Sequence, residues 1–292
     1  MKVNAFAASE AGGKLQPFNF DLPNLGKEEV DIKVHYCGIC HSDLSMLKNE
    51  WGMTQFPFVP GHEIVGEIVA TGSEVKNLKK GDLVGLGWNS SSCMHCEQCM
   101  EGRHHMCYSV EGTIIGRHGG FADHVRSHWS WAVLLPEGID MQKAGPLLCG
   151  GITVFSPVIS AGVKATDKVG IVGIGGLGHM ALKFLNKWGC EVVAFSSNPA
   201  KKEQILAMGA TKVIDSTNPE ELQSIAGSLN FILNTTNVTL DWNAYLTVLS
   251  PKGKFYNVGA VLEPMAVPAF SLIMGEKSVA GSPTGSPALT RT

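Results

Sequence analysis

The sequence contains no run of about eighteen apolar residues, the length that a membrane-spanning helix needs. Met1-Lys2-Val3-Asn4 leads into no apolar run with a cleavage site, so a secretory leader is not expected either. Neither sign of charge dominates, because 23 Lys and Arg residues stand against 26 Asp and Glu residues and leave a net charge of −3. This balance gives no general reason to expect a nucleic-acid partner. With no internal repeat and no low-complexity linker, the 292 residues predict a cytoplasmic globular protein of two domains.

Cysteine is the residue type whose placement is most informative. Four of the eight cysteines follow the spacing C-x2-C-x2-C-x7-C, at Cys93, Cys96, Cys99 and Cys107. Four thiolates this close together can surround one tetrahedral metal ion, and zinc prefers such a shell. In a chain without an export signal, clustered cysteines indicate metal binding sooner than disulfides. Because the shell is closed, the cluster is predicted to be structural and not catalytic.

The pattern of the chain changes near residue 150. Before that point, short strand candidates at 30–36, 63–70 and 82–86 are surrounded by turns rich in Gly, Pro, Asn and Ser, which predicts a mostly antiparallel β domain. After it, apolar runs alternate with helical stretches, which predicts a parallel sheet with helices on both faces. The six strand candidates of this second region are 168–174, 191–196, 211–215, 229–235, 254–259 and 277–280, with helices over 176–188 and 200–208.

A glycine-rich loop follows the first of these six strands. Gly173-Ile174-Gly175-Gly176-Leu177-Gly178 matches the pattern G-x-G-x-x-G between an apolar strand and a helix of apolar periodicity. In that context the pattern is the fingerprint of a dinucleotide site, and the alternative of a plain tight turn is disfavoured. The glycines allow backbone N–H groups to approach a pyrophosphate at the helix N terminus.

The end of the second strand of this region indicates which dinucleotide is bound. NAD-binding proteins usually place Asp or Glu there, where the carboxylate bonds the ribose 2′-hydroxyl. This chain has Ser196, Ser197 and Asn198 instead, followed by Lys201 and Lys202. Small hydroxyls and lysines accept a 2′-phosphate that a carboxylate would repel. The sequence therefore predicts NADP(H) over NAD(H), although Ser197 or Asn198 can also cap a helix N terminus.

Three further metal-ligand candidates are scattered along the chain. Cys40 lies in Cys-Gly-Ile-Cys-His-Ser-Asp, His62 in Val-Pro-Gly-His-Glu, and Cys149 in Leu-Leu-Cys-Gly-Gly-Ile-Thr-Val. Separately these signals are weak, since a lone cysteine is usually a small buried hydrophobe. Together they could form a Cys–His–Cys set with one coordination position free, the arrangement of a catalytic zinc site.

In combination, these motifs resemble the zinc-dependent medium-chain alcohol dehydrogenases, in the cinnamyl-alcohol-dehydrogenase-like group that includes bacterial NADP-dependent aldehyde reductases. The resemblance extends over essentially all 292 residues. It implies an α/β protein with a GroES-like, mostly β catalytic domain at 1–150 that holds both zinc sites, and a Rossmann NADP-binding domain at 151–292. It also implies an enzyme that interconverts primary alcohols and aldehydes with NADP(H), mainly as a reductase of aromatic or medium aliphatic aldehydes.

The resemblance also implies the roles of individual residues. The catalytic zinc is held by Cys40, His62 and Cys149, with Glu63 as an occasional or exchanging ligand. Asp43 supports the His62 ring by accepting its second ring N–H. With the four-cysteine cluster, two zinc ions per chain are expected.

For the proton, Ser42 matches the hydroxyl that relays it next to the metal. Where many relatives carry a histidine three residues later, this chain has Ser45, which cannot hold a proton at neutral pH as an imidazole can. His41 or water would have to take that role. Thr153 is assigned to cofactor binding together with the glycine loop. The residues expected to form an apolar substrate pocket are Trp51, Met53, Phe58 and Trp88.

The resemblance also has departures and rivals. Relatives usually continue beyond Thr292 with a last Rossmann helix and a return to the β domain, so a missing C-terminal portion is expected, and 281–292 is predicted to end without an element to bury. An inactive, zinc-stabilised nucleotide-binding module is the alternative function. A zinc-free quinone reductase would lack both cysteine sets, and an iron–sulfur protein would be expected to end its run in x3-C-Pro. A homodimer through the Rossmann sheet edge near Ser278–Ser282 is carried over by analogy alone.

Overall fold

The computed structural model describes residues 1–292, which divide into two compact units. Unit 1 comprises Met1–Ile152 and Thr284–Thr292, and unit 2 comprises Thr153–Pro283. The sequence placed the division at 150/151 and assigned everything after it to the second domain, whereas the final segment here groups with unit 1. None of the helices combines the length and the hydropathy of a membrane span.

Unit 1 is built mainly from antiparallel strands. In chain order they are β1 (Lys2–Ala7), β2 (Gln16–Asp21), β3 (Glu29–Gly38), β4 (Glu63–Thr71), β5 (Leu83–Leu86), β6 (Asn89–Ser91), β7 (Glu111–Gly112), β8 (His124–His128) and β9 (Val133–Leu134). A five-stranded sheet with the order β8-β3-β4-β5-β9 forms the centre, while β1-β2 and β6-β7 pair separately. β3, β4 and β5 coincide with the three strands predicted from alternation, and the expectation of a mostly antiparallel β domain is confirmed.

The core of this sheet explains why these segments form strands. Alternate side chains of β3, β4 and β5 share one buried cluster, which includes Val30, Ile32, Ile64, Ile68, Val84 and Leu86. β3 pairs with β4 in a register that sets Gly38 opposite Glu63, so the end of one strand lies beside the start of the other. The helices of this part are α1 (His41–Leu47), α2 (Glu97–Met100), α3 (Met141–Ala144) and α4 (Gly150–Ser160), the last of which runs on into unit 2.

Unit 2 is a doubly wound α/β unit. Its strands are β10 (Lys168–Val172), β11 (Glu191–Ser196), β12 (Lys212–Asp215), β13 (Leu229–Asn234), β14 (Leu249–Asn257) and β15 (Ser278–Gly281), and its helices are α5 (Gly176–Trp188), α6 (Lys202–Ala207), α7 (Pro219–Gln223), α8 (Trp242–Val248) and α9 (Ala269–Ile273). All neighbouring strands are parallel, in the order β12-β11-β10-β13-β14-β15. The order reverses between β10 and β13, and the predicted Rossmann architecture is confirmed.

β14 begins earlier than the sequence predicted. The sequence predicted this strand over 254–259, whereas β14 begins at Leu249 and includes Pro251, Lys252 and Gly253. In the structure Lys252 takes a left-handed φ of 61°, and the register against β13 shifts between Leu229 and Phe231. Pro251, Lys252 and Gly253 therefore form an irregularity inside one longer strand and do not end it.

The final segment of the chain forms a short helix, α10 (Pro287–Thr290), within unit 1. Ser286 caps it by accepting the Leu289 N–H, and Ser286 and Pro287 are buried. Arg291 Nη2 donates to the carbonyl of Ser130 at 2.9 Å. The expectation that this segment has no element to bury is wrong, because the cue in Gly-Ser-Pro is the start of a helix and not only a turn.

Candidate active site

The scattered ligand candidates converge in unit 1. The ligand atoms of Cys40, His62, Glu63 and Cys149 all lie within 4.8 Å of one another. Cys149 Sγ is 3.9 Å from Cys40 Sγ and 3.2 Å from His62 Nε2. His62, Glu63 and Cys149 are buried, while Cys40 is partly exposed. Two thiols, an imidazole and a carboxylate at this spacing fit a zinc ion.

Strand register and close backbone packing bring these residues together. Cys40 precedes α1 just after β3, His62 and Glu63 lie at the start of β4, and the β3–β4 pairing joins the two ends. Cys149 follows a 3-10 turn whose first residue, Gly145, packs against β4. A Cβ at Gly145 would lie 2.6 Å from the carbonyl oxygen of Glu63, so a side chain there would push Cys149 away from the set.

Asp43 fixes the geometry of this set by hydrogen bonds to the ligand residues and their backbone. Its Oδ1 lies 3.0 Å from His62 Nδ1 and accepts the Gly61 N–H at 2.8 Å. Its Oδ2 accepts the Cys40 N–H at 2.9 Å. Asp43 is itself buried, so one carboxylate orients two ligands and leaves His62 Nε2 facing Cys149. This is the supporting contact that the resemblance implied, and such contacts hold a ligand ring in one orientation.

Hydrogen bonds and burial shift the pKa values of the three ligand candidates in different directions. The hydrogen bond from Cys149, helped by His62, outweighs burial and lowers the pKa of Cys40 to about 4. The same hydrogen bond, together with burial, raises the pKa of Cys149 well above its usual value. Burial lowers the pKa of His62, but hydrogen bonds with Asp43 and Cys40 overcome it and raise the pKa to about 9. These shifts correspond to a Cys40 thiolate beside a protonated His62, and a metal ion would bind with release of the protons on His62 and Cys149.

Glu63 behaves differently from an ordinary surface carboxylate. Burial, and then the negative charge on Cys40, raise its pKa to about 7. Its carboxylate contacts the backbone at Gly38, where a Cβ would leave it no room. Glu63 lies close enough to the other three donors to be a metal ligand, and the exchanging role that the resemblance implied stays a prediction.

The second cysteine cluster also forms as predicted. The sulfur atoms of Cys93, Cys96, Cys99 and Cys107 lie within 4.8 Å of one another, and Cys99 and Cys107 are buried. Backbone N–H groups point at the sulfurs: Cys96 N–H donates to Cys93 Sγ at 3.3 Å, and Ser109 N–H donates to Cys107 Sγ at 3.3 Å. These N–H groups stabilise thiolates, so the loop fits a closed tetrahedral zinc shell.

The glycine loop of unit 2 has the geometry of a phosphate cradle. Gly173 has a φ of +84°, and no heavy atom lies within 4 Å of the position that a Cβ would take at Gly175 or Gly176. Gly178 packs against the carbonyl of Gly173 so closely that only a hydrogen fits there. The open space beside Gly175 and Gly176, at the start of α5, fits a pyrophosphate.

The loop after β11 satisfies both interpretations of its sequence. Asn198 caps the 3-10 turn at Pro199–Lys201 by accepting the Ala200 N–H at 3.0 Å, and Ser196 Oγ accepts the Asn198 N–H at 3.2 Å. Ser197 and Lys201 are exposed and free to meet a ligand. No carboxylate lies among residues 196–202. Thr153, in α4, is nearly buried, and its contact with a cofactor stays a prediction.

The comparisons with known proteins agree with this geometry. Residues 26–137 match the family model of the alcohol dehydrogenase GroES-like domain, and residues 176–292 match that of the zinc-binding dehydrogenases. The aldehyde reductase AdhA of Synechocystis sp. is 53% identical over 290 residues, which cover 99% of this chain and 86% of that protein. The chain belongs to the zinc-dependent medium-chain alcohol dehydrogenase family. The resemblance inferred from the motifs is thereby confirmed.

Solved structures of other alcohol dehydrogenases share the whole fold. A cinnamyl alcohol dehydrogenase of Sorghum bicolor has a TM-score of 0.94 and 36% identity, covering 100% of this chain and 86% of that chain. A cinnamyl alcohol dehydrogenase of Helicobacter pylori, solved in complex with NADP(H), has a TM-score of 0.91 and 32% identity, with the same coverage. Its family membership therefore identifies this chain as a zinc-type alcohol or aldehyde oxidoreductase.

Aromatic side chains line the metal set of this alcohol dehydrogenase. The rings of Trp88 and His62 meet edge-to-face with centroids 4.9 Å apart, and Trp51 meets Trp88 edge-to-face at 6.1 Å. Phe58 is buried in the neighbouring apolar cluster, whereas Met53 is about half exposed and lies outside it. Of the four predicted pocket residues, the structure brings Trp88 nearest to the metal set.

The serine predicted to relay a proton, Ser42, and the serine that stands where many relatives carry a histidine, Ser45, both lie on α1. Ser42, its second residue, is half-buried, while Ser45 is fully buried. An imidazole at position 45 of this chain would therefore have to enter a packed interior.

Thr235 is a contact that the sequence did not suggest. Its hydroxyl donates to the carbonyl of Gly173 at 2.7 Å and supports the glycine loop from below. The signal that could have revealed it is a polar residue directly after a buried parallel strand.

Proposed function

We propose that the chain interconverts aldehydes and primary alcohols by hydride transfer with NADP(H), mainly as a reductase of aromatic or medium aliphatic aldehydes. The observation that carries the proposal is the buried set of Cys40, His62 and Cys149, oriented by Asp43. The names of the relatives support the direction, since one is an aldehyde reductase and others are cinnamyl alcohol dehydrogenases.

Cys40, His62 and Cys149 would hold the catalytic zinc, with Glu63 as the exchanging fourth donor. A bound zinc ion supplies a Lewis acid for the substrate oxygen, and a bound reduced nicotinamide supplies the hydride. Asp43 keeps His62 Nδ1 engaged, so that Nε2 stays available as the ligand atom. Cys93, Cys96, Cys99 and Cys107 would hold the structural zinc.

The other residues of this site bind the substrate and move a proton. Trp88 and Trp51 present apolar surface beside His62 and exclude water from it. Their ring faces suit an aromatic or medium aliphatic aldehyde better than a polyol. In the reduction, Ser42 would pass the proton of its hydroxyl to the substrate oxygen and would take a proton in turn from water or His41 as the outer donor.

The preference for NADP(H) rests on the loop after β11. Exposed Ser197 and Lys201, with no carboxylate among residues 196–202, suit a 2′-phosphate. The structural relative from Helicobacter pylori carries NADP(H), which supports the same choice here. Lys201→Ala is expected to raise the KM for NADPH about tenfold, because a hydrogen bond to a charged group is lost. Lys212→Ala, on β12, serves as the control, and an unchanged KM in Lys201→Ala would contradict the assignment.

The test of the function combines metal analysis with turnover. The purified chain is expected to hold close to two zinc ions and to oxidise NADPH with benzaldehyde and hexanal, faster than NADH. Cys149→Ser should hold one zinc ion and show no turnover. One zinc ion without turnover in the wild-type chain would instead identify a zinc-stabilised nucleotide-binding module, and a preference for NADH would overturn the cofactor assignment.

We also propose a cytoplasmic homodimer that forms through β15. All eight cysteines are free thiols, which suits a reducing compartment. β15 is the open edge of the parallel sheet, and Phe270, Ile273 and Met274 of the adjacent segment are each about 70% exposed. Light scattering is expected to give a dimer for the wild-type chain and a monomer for Val279→Pro, and a wild-type monomer would contradict the proposal.

A further inference from the structure

Two asparagines meet at the carboxyl edge of the sheet in unit 2. Asn234 is the last residue of β13 and Asn257 the last residue of β14, and the two are register partners. Asn234 Nδ2 donates to Asn257 Oδ1 at 2.5 Å. Asn234 is completely buried, which is costly for an amide unless each of its polar atoms is bonded.

The other polar atoms of this pair bond the two loops that follow the strands. Asn234 Oδ1 accepts the Thr236 N–H at 3.1 Å and the Thr236 hydroxyl at 2.8 Å. Asn257 Nδ2 donates to the carbonyl of Gly259 at 2.8 Å. The pair therefore ties the loop that follows β13 to the loop that follows β14.

The same two loops touch the phosphate cradle and each other. Thr235, between Asn234 and Thr236, donates its hydroxyl to the carbonyl of Gly173. Gly259 packs so closely on the carbonyl of Thr236 that a side chain would have no room. A continuous set of contacts thus runs from the glycine loop through Asn234 to the end of β14.

The position of this pair in the fold indicates which part of a bound dinucleotide lies beside it. In a doubly wound sheet the two mononucleotide halves bind the two halves of a dinucleotide at the carboxyl ends of their strands. β10, β11 and β12 carry the glycine loop and the loop proposed for the 2′-phosphate, so the ends of β13 and β14 remain for the nicotinamide nucleotide. A buried, fully satisfied polar pair specifies one arrangement of its loops, which an apolar pair would not do.

Resting on the proposed function, we infer that Asn234 is a positioning residue, which acts through Asn257 to fix the two loops that receive the nicotinamide half of NADP(H). Asn234 touches no reacting atom in this assignment. Its loss should leave the adenosine half of the cofactor bound as before and weaken only the contribution of the nicotinamide half.

The test compares two ligands in binding titrations followed by protein fluorescence. NADPH occupies both halves of the site, and adenosine 2′,5′-bisphosphate occupies only the adenosine half. Asn234→Ala is expected to weaken NADPH about tenfold and to change the dissociation constant of adenosine 2′,5′-bisphosphate less than about twofold. Asn230→Ala is the matched control, because Asn230 is exposed at the opposite end of the same strand and should leave both constants unchanged.

Asn257→Ala, at a half-buried position, provides a second variant with the same expected pattern and keeps the inference testable if Asn234→Ala does not fold. The double variant should bind NADPH no more weakly than Asn234→Ala, because the two side chains act as one pair. Equal weakening of both ligands, or weakening of neither, would overturn the inference. A wild-type chain that binds neither ligand would overturn the proposed function and this inference with it.

Discussion

The two cysteine sites of this protein use similar ligands but are built in opposite ways. Cys93, Cys96, Cys99 and Cys107 lie on one short loop, and backbone N–H groups of that same loop support their sulfurs. The other site joins residues up to 109 positions apart, Cys40 and Cys149, and depends on a side chain, Asp43, for its orientation. A local site is complete once its loop has formed, whereas the assembled site requires β3, β4 and the segment before α4 to pack together.

The two sites also differ in whether they can take part in catalysis. The four-sulfur shell is closed, so it offers no position to a substrate. The assembled set contains two cysteines and a histidine, and Glu63 lies beside them as a fourth donor. The ring of Trp88 packs against His62 of the assembled set, and Trp51 packs against Trp88. We therefore expect substitutions in the two sites to affect different properties.

The largest effect is expected from Cys149→Ser. Removing a ligand of the assembled set should lower kcat/KM for aldehyde reduction by roughly a thousandfold or more and remove one zinc ion. Cys190→Ser is the matched control, since Cys190 is a buried cysteine outside both sites. If Cys149→Ser kept wild-type turnover, the assignment of chemistry to the assembled site would be wrong.

A smaller effect is expected from Asp43→Asn. The carboxylate accepts from His62 and Gly61 on one oxygen and from Cys40 on the other, whereas an amide has only one acceptor oxygen. Zinc affinity and kcat/KM should therefore each fall about 10–100-fold. Asp123→Asn is the control. Asp123 Oδ1 also lies beside a histidine nitrogen, 3.1 Å from His124 Nδ1, but its side chain bonds only Asn4 and His124 and no residue of the assembled set. Equal behaviour of the two variants would show that Asp43 has no special part in orienting His62.

The smallest effect on chemistry is expected from Cys99→Ser. The structural shell should lose its zinc ion and the melting temperature should fall by roughly 5–10 °C. The kcat/KM of the remaining folded protein should change less than about threefold, because no residue of this shell contacts the assembled set. Met100→Ala, exposed on the same loop, controls for disturbance of the loop itself. A loss of turnover as deep as that of Cys149→Ser would erase the distinction between the sites.

The features that could be predicted from the sequence are the local ones, and those that could not are the contacts between distant residues. The four-cysteine shell, the glycine loop and the strands of both units depend on short spacings, and the structure confirms the fold that they predicted. His62 and Cys149 lie 87 residues apart, and no local rule joins them; the family resemblance was needed. The register of β3 against β4 and the packing of Gly145 decide that geometry, and neither is visible in a spacing.

Contacts made by single side chains across the fold were not predictable in this way. The meeting of Trp88 with His62, the burial of Ser45 and the pairing of Asn234 with Asn257 each depend on which residues face one another after folding. The helix at Pro287–Thr290 was missed because Ser-Pro signals a turn and a helix start alike.

The separation of Cys40 from Cys149 has a consequence for the order in which the protein is made. The loop from Cys93 to Cys107 is complete while the rest of the chain is still being synthesised, and it can take up its zinc ion at once. The assembled set lacks Cys149 until half of the chain has emerged, and its three segments meet only after distant strands have paired. We therefore expect the growing chain to acquire its two metal ions in sequence, with the structural ion first and the catalytic ion as the mark of a folded unit 1.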